Sequence, residues 1–203
     1  MIKNQQSGAT LKRNNTTMKF FKRTMLVILI LATVGIFFRG WFYRHLLTYK
    51  SVGQRSTYLI TNDKLAAFID MNMGDKKRLD IKEVIKIGLS ITSRHLNFTA
   101  TKNDNDPNRL IYSKTAHCVG YASFFATTCN CLLKKNDLAG HWNAKPQIGQ
   151  LFFIGININK CINTPFFKDH DFVTIENKET GEIFAVDPTV NDYFFIDFVT
   201  YRK

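Results

Sequence analysis

Three residues in the carboxy-terminal part of the chain have the types and order of a cysteine acyl-transfer site. Cys118 stands at the predicted start of a helix. There the positive end of the helix dipole and free backbone N–H groups favour a thiolate, the form of cysteine that attacks carbonyl carbons. His170 begins a predicted strand, and Asp187 ends the next one. The order predicts a nucleophile, a general base and a group that orients the base.

The two predicted strands define how His170 and Asp187 meet. In a hairpin with the four-residue loop 177–180, Glu176 faces Gly181 and His170 lies directly opposite Asp187. Directly opposed residues share a face of the sheet, with Cβ atoms about 4.5–5.5 Å apart. A carboxylate at that position holds an imidazole in one tautomer and one orientation. A register slip of one residue would separate the pair.

The elements around these residues are predicted to be helices first and strands afterwards. Helical patterns cover three ranges: 63–71, 80–96 and 118–134. Residues 136–146 are predicted to be irregular. Short runs rich in Phe, Ile and Val predict four antiparallel strands: 151–157, 171–177, 182–187 and 193–200. This order favours an α+β fold over an alternating α/β fold.

At these residues the chain resembles the transglutaminase-like superfamily, which has a papain-like fold. The similarity lies in three segments that follow one another in the family's order: 118–122 (CVGYA), 170–172 (HDF) and 186–189 (VDPT). It implies that Cys118 is the nucleophile, His170 the base and Asp187 the orienting group, acting on protein or peptide amides. It also implies that the nucleophile helix packs on an antiparallel sheet. Ala116 stands where many members have Gly, and Asp171-Phe172 replaces Ala-Trp.

Two alternatives to this interpretation remain open. Residues 117–120 loosely resemble the Asp-Cys-Ser-Gly helix start of a bacterial cell-wall endopeptidase family, and residues 149–153 resemble its Gly-Asp-Leu-Val-Phe-Phe segment. That family uses the same Cys/His chemistry, but the VDPT segment at 186–189 has no counterpart there. The other alternative is a non-catalytic binding module on the same fold.

The remaining cysteines do not predict a metal or cofactor site. Cys129 and Cys131 lie inside a predicted helix, and their spacing to His141 and Cys161 fits no standard zinc pattern. A disulfide between Cys131 and Cys161 stays open as an alternative to buried free thiols. We therefore predict no metal and no cofactor.

The formal charge of +12 is concentrated in the amino-terminal part of the chain. Residues 1–62 hold ten of the 28 Lys and Arg residues and no acid, whereas residues 63–203 carry 18 basic groups and all 16 acids. A nearly neutral domain does not predict a nucleic-acid partner. The basic residues flank an apolar segment instead.

Residues 24–38 (TMLVILILATVGIFF) carry no charge. With long basic side chains on both flanks and the aromatic residues 41–43, the segment predicts a transmembrane anchor over 24–43. The basic bias before it places the amino terminus in the cytoplasm and the domain on the extracytoplasmic side. A cleaved signal peptide is the competing interpretation.

The predicted layout thus has four parts. A disordered basic arm covers 1–23, the membrane anchor covers 24–43, a linker covers 44–62, and the transglutaminase-like domain covers 63–203.

Overall fold

The structure is a computed structural model that describes residues 6–74, 78–101, 103–161 and 168–203. The chain divides into two compact units, with Phe42 as the last residue of the first and Tyr43 as the first residue of the second. The globular unit therefore begins well before Asp63, the boundary predicted from sequence. The reason is that the predicted linker 44–62 contains a strand of the main sheet, as described below.

The first unit consists mainly of α1 (Gln6–Phe37). Residues 17–37 of this helix are long and apolar enough to cross a membrane, and none of the apolar stretch is buried, although a signal sequence has the same properties. The prediction of disorder over 1–23 is wrong for residues 6–23, which are helical. Extending an existing helix adds one hydrogen bond per residue without a new nucleation cost.

The apolar helix also ends earlier than the predicted anchor. A second helix, α2 (Arg39–Leu46), follows α1 directly, and the Arg39 guanidinium donates a hydrogen bond to the carbonyl oxygen of Ile36. A basic side chain that binds the last carbonyls stabilises a helix end. Tyr43, one of the aromatic residues of the predicted anchor, packs instead against a hydrophobic cluster of the globular unit that contains Tyr49 and Phe172.

The globular unit continues with five further α-helices, one 3₁₀ turn and eight strands in its described part. In chain order these elements are β1 (Leu47–Gln54), α3 (Asp63–Met73), α4 (Ile81–His95), β2 (Asn97–Phe98), α5 (Pro107–Ser113), β3 (Thr115–Ala116), α6 (Cys118–Lys135), β4 (Trp142–Phe153), β5 (Ile156–Asn157), a 3₁₀ turn (Ile158–Lys160), β6 (His170–Asn177), β7 (Ile183–Val186), α7 (Pro188–Phe194) and β8 (Thr200–Arg202).

The main sheet has the strand order β7-β6-β4-β1-β8, and β5 pairs with the end of β4. All of its strand pairs are antiparallel except β1 and β8, which are parallel. The α+β class is therefore confirmed, but the sheet is mixed and not antiparallel as predicted. The difference arises because the chain passes from β7 through α7 before β8 pairs with β1. The strand β8 is therefore not joined to its neighbour by a hairpin.

The three predicted helices are present, and their starts follow from capping residues. Asn62 accepts hydrogen bonds from the first turn of α3, and Asp80 forms a capping box with Glu83 at α4. The helix α6 begins at Cys118 as predicted. The short helix α5 was not predicted; it begins at Pro107, directly after the capping residue Asp106.

Three predictions about strands are wrong. Residues 151–157 are not one strand, because β4 ends at Phe153 and the chain turns back into β5 at Ile156. Residues 136–146 are not irregular throughout, because β4 begins at Trp142 and pairs along β6 from Trp142 opposite Asn177. Residues 193–200 are not a strand, because α7 runs to Phe194 and only the final residue of that range enters β8. Aromatic content alone does not distinguish such a strand from a short capped helix.

The helix α6 packs on one face of the sheet and is buried along most of its length. Val173, Ile175 and Val186 of the sheet share one hydrophobic core with this helix. Tyr49 and Phe172 belong to a second cluster. Because side chains alternate along a strand, Phe172 lies on the opposite face from Val173. The two clusters therefore fix the sheet from both sides.

Candidate active site

Cys118 is the first residue of α6, and the preceding turn is tightly packed around it. His117 caps the helix, with its Nδ1 accepting a hydrogen bond of 3.2 Å from the backbone N–H of Val119. A Cβ on Gly120 would lie 2.7 Å from the Cβ of Ala116, so the close approach requires glycine. Among the described residues, no group accepts a hydrogen bond from the backbone N–H of Cys118. This N–H is thus available to a bound ligand.

The hairpin that carries the other two residues has a different register from the predicted one. Glu176 lies opposite Ile183 and not opposite Gly181. The side chain of Asn177 accepts hydrogen bonds from the backbone N–H groups two and three residues later, and Gly181 has a φ of 71°. The Asx turn and the left-handed glycine therefore set the register.

The register differs from the predicted one by two residues, which preserves the faces of the strands. Asp187 directly follows the last residue of β7. In the observed register its position lies across from Phe172, so it is diagonal to His170. The Nε2 atom of His170 nevertheless lies 2.6 Å from Oδ2 of Asp187. The predicted pair is present, although the two residues are not directly opposed.

Four hydrogen bonds hold the buried carboxylate of Asp187. Oδ2 accepts from His170 and, at 2.7 Å, from the hydroxyl of Tyr49. Oδ1 accepts from the backbone N–H groups of Thr189 and Val190, because Asp187 is also the capping residue of α7. The same side chain thus starts a helix and orients the imidazole.

Tyr49 is a site residue that the sequence analysis missed. It is fully buried in β1, its ring centroid lies 6.2 Å from that of His170, and its hydroxyl is hydrogen-bonded to that of Tyr43. Burial, followed by the charge of Asp187, raises the pKa of Tyr49 well above its usual value, so the phenol stays neutral and donates. No local motif could reveal it, since 138 positions separate Tyr49 from Asp187.

The pKa values of His170 and Asp187 follow from their burial and from the contact between them. Burial alone would lower the pKa of His170, but Asp187 and the neighbouring side chain of Cys118 raise it well above the usual value. Burial alone would raise the pKa of Asp187, but His170, Tyr49 and the backbone N–H groups lower it overall. The arrangement favours an imidazolium beside a carboxylate.

The side chain of Cys118 lies close enough to the imidazole of His170 to contribute to its raised pKa. Because Asp187 occupies Nε2, the other ring nitrogen, Nδ1, is the one left for the thiol. Cys118 is the first residue of α6, and His170 is the first residue of β6. The structure thus joins His170 to Asp187 by a hydrogen bond and places Cys118 near the imidazole.

An ion pair beside the triad was also missed. Arg55 donates two hydrogen bonds to the fully buried Asp171, at 2.8 and 3.1 Å. Burial raises the pKa of Asp171 although the guanidinium opposes it. Arg55 is close enough to Cys118 for their charges to interact. The Asp that replaces Ala in the HDF segment therefore ties the chain after β1 to the strand that carries His170.

Gly149 gives His170 room on the neighbouring strand. It lies directly opposite His170 in the pairing of β4 with β6. A Cβ at this position would come within 2.6 Å of the His170 carbonyl oxygen and 2.7 Å of the Phe172 ring. Glycine therefore allows the backbone that carries the imidazole to pack closely against β4.

The other cysteines are distinct from Cys118 in their surroundings. All four are free, so the possible pairing of Cys131 with Cys161 is absent in this structure. Cys129 is buried and Cys161 is exposed. Burial raises the pKa of the Cys129 thiol, which makes that residue unreactive. Across the described ranges, no group of three or more His, Cys, Asp or Glu residues could hold a metal ion.

No protein-family model matches this chain, and no curated protein or solved structure matches it. The resemblance to the transglutaminase-like superfamily therefore rests on the three sequence segments alone.

Proposed function

We propose that the globular unit is a cysteine-dependent enzyme that hydrolyses or transfers amide groups of proteins or peptides. The observation that carries this proposal is the bond of 2.6 Å between Nε2 of His170 and Oδ2 of Asp187, which leaves Nδ1 for Cys118. A nucleophile, a base and an oriented carboxylate in this order are the parts of an acyl-transfer triad. The papain-like, transglutaminase-like fold is part of the same proposal.

In the proposed reaction, His170 takes the proton of the Cys118 thiol, and the sulfur attacks the carbonyl carbon of the amide. The negative charge moves to the carbonyl oxygen, where the backbone N–H of Cys118 supplies one hydrogen bond. His170 then gives its proton to the leaving amine as the C–N bond breaks. A thioester on Cys118 remains, and water or an amine attacks it to release the acid or the new amide.

Asp187 and Tyr49 have positioning roles in this scheme. The Asp187 carboxylate stabilises the imidazolium that forms and keeps Nδ1 directed at the thiol. Tyr49 donates to the same carboxylate oxygen that binds His170. Because backbone N–H groups hold the other oxygen, the carboxylate cannot rotate away from the imidazole without breaking several hydrogen bonds.

The proposal also places the enzyme at a membrane. Residues 17–37 would anchor it, and the basic bias before the apolar segment favours a cytoplasmic amino terminus and an extracytoplasmic globular unit. Because water is the default acceptor there, hydrolysis is proposed ahead of transfer. A peptide endopeptidase acting on cell-wall peptides would use the same chemistry.

A peptide mixture with and without hydroxylamine tests the proposed reaction. The full chain in detergent is incubated with peptides rich in amide side chains, and the products are identified by mass spectrometry. Hydrolysis products are expected in water and hydroxamates with hydroxylamine, because hydroxylamine intercepts a thioester. Neither product should form with Cys118→Ala, whereas Cys161→Ala should behave like the unchanged chain. Equal products from Cys118→Ala, or none from any peptide, would contradict the proposal.

A further inference from the structure

A cationic cavity lies on the globular unit at the edge of the main sheet. Its volume is about 430 Å³, and it lies where β1, β8 and the end of β4 meet. Basic, hydroxyl and apolar side chains line it, among them His45, Thr48, Lys50, Phe152, Ile154 and Arg202. None of the lining side chains is acidic, so the side chains of the cavity are complementary to an anion.

Two of the basic side chains are placed against each other. Lys50 and Arg202 are directly opposed in the parallel pairing of β1 with β8, so they share a face of the sheet. Like charges in this position destabilise a sheet unless something neutralises them. Within the part of the chain that the structure describes, neither forms an ion pair with a carboxylate. A bound anion would remove this repulsion.

An exposed apolar turn borders the same cavity. The side chains of Phe153, Ile154 and Ile156 are exposed between β4 and β5, and Ile154 and Gly155 both have positive φ values, 47° and 83°. A β-branched residue is strained in this region, where Asn or Gly is usual. Neither burial nor turn geometry explains Ile154. Apolar side chains beside basic ones are typical of surfaces that lie in the membrane interface.

We propose that the cavity binds the phosphate of an anionic phospholipid headgroup while the turn at 153–156 enters the membrane interface. A membrane is the occupant that fits both the basic cavity and the apolar rim. The cavity is also close to the candidate span along the chain, because His45 lies only a few residues after Phe37. In a membrane-anchored chain, a lipid-binding surface close to the anchor experiences a high effective concentration of lipid headgroups. This inference rests on the proposed membrane anchor and is independent of the triad.

Hydrogen exchange on the full chain in lipid nanodiscs tests the inference. Exchange in peptides covering 150–157 is compared in discs of phosphatidylcholine alone and in discs that also contain phosphatidylserine. Protection of the turn is expected only with the anionic lipid, and it should fall about fivefold for each basic residue removed from the cavity. Lys50→Gln combined with Arg202→Gln should therefore lose most of the protection.

Three further measurements sharpen the test. Lys82→Gln combined with Lys86→Gln removes the same charge from exposed positions on α4 and should leave the protection unchanged. Ile154→Asn should relieve the turn strain, keep thermal stability and still lose protection. Inorganic phosphate added to the protein in detergent should give no protection of the turn. Equal protection in neutral discs, equal protection by phosphate alone, or failure to enter the discs would overturn the inference.

Discussion

Replacing Asp187 with asparagine is expected to lower amide turnover about 10³- to 10⁴-fold, as the matching change does in serine triads. The Asn oxygen can still accept from the backbone N–H groups of Thr189 and Val190, which preserves the cap of α7. The amide NH₂ then faces Nε2 of His170 and donates to it. The proton on His170 must consequently move to Nδ1, where it blocks removal of the thiol proton.

The folded state should survive this substitution. The NH₂ group offers one hydrogen to His170 and the other to the hydroxyl of Tyr49, so no buried group loses its partner. The temperature of thermal unfolding should therefore change little, while kcat/KM for the fastest peptide substrate falls steeply. Asp197→Asn is the matched control, since Asp197 accepts from Asn191 on the same segment and its replacement removes an equal charge. Full activity of Asp187→Asn would show that the carboxylate does not orient the base.

Replacing Arg55 with methionine is expected to destabilise the fold by about 2–3 kcal/mol, because it leaves the carboxylate of Asp171 buried without its partner. The usual cost of breaking a buried pair is about 3–5 kcal/mol, and we discount it because the Arg55 side chain is 34% exposed. Urea unfolding monitored by circular dichroism gives the difference in the free energy of unfolding. Combining Arg55→Met with Asp171→Asn should restore much of the loss.

The effect of Arg55→Met should also depend on pH. The pKa of Asp171 is already raised in the folded state, and loss of the guanidinium raises it further. A raised carboxyl pKa favours folding at low pH, and this contribution is lost as pH rises through the folded pKa. The difference in the free energy of unfolding between Arg55→Met and the unchanged protein should therefore be largest near neutral pH and shrink in acid. Arg109→Met, which breaks an exposed ion pair with Asp104, should change stability by less than about 1 kcal/mol.

The three residues of the proposed site could be picked out from the sequence because each depends on local signals. Cys118 is marked by a helix start, and His170 and Asp187 are marked by a hairpin. The predicted register was wrong by two residues, yet the pair survived because a strand repeats its faces every two residues. An error of one residue would have destroyed the prediction.

The supporting residues were not predictable because their contacts cross the whole chain. Tyr49 and Arg55 reach Asp187 and Asp171 from a segment that the sequence assigned to a linker. Nothing in the local pattern of 44–62 indicates that β1 pairs with β4 on one side and β8 on the other. The start of β4 at Trp142 depends on the same sheet, since its pattern is completed only by pairing with β6.

The pH dependence of Cys118 alkylation tests the central claim most directly. Iodoacetamide labelling of each cysteine is followed by peptide mass spectrometry from about pH 5 to about pH 9, with the exposed Cys161 as the internal reference. Near neutral pH, Cys118 should react at least about tenfold faster than Cys161, because His170 can take the thiol proton as the sulfur attacks. This advantage should vanish in His170→Ala. A Cys118 that follows the rate of Cys161 at every pH, with or without His170, would contradict the proposed triad.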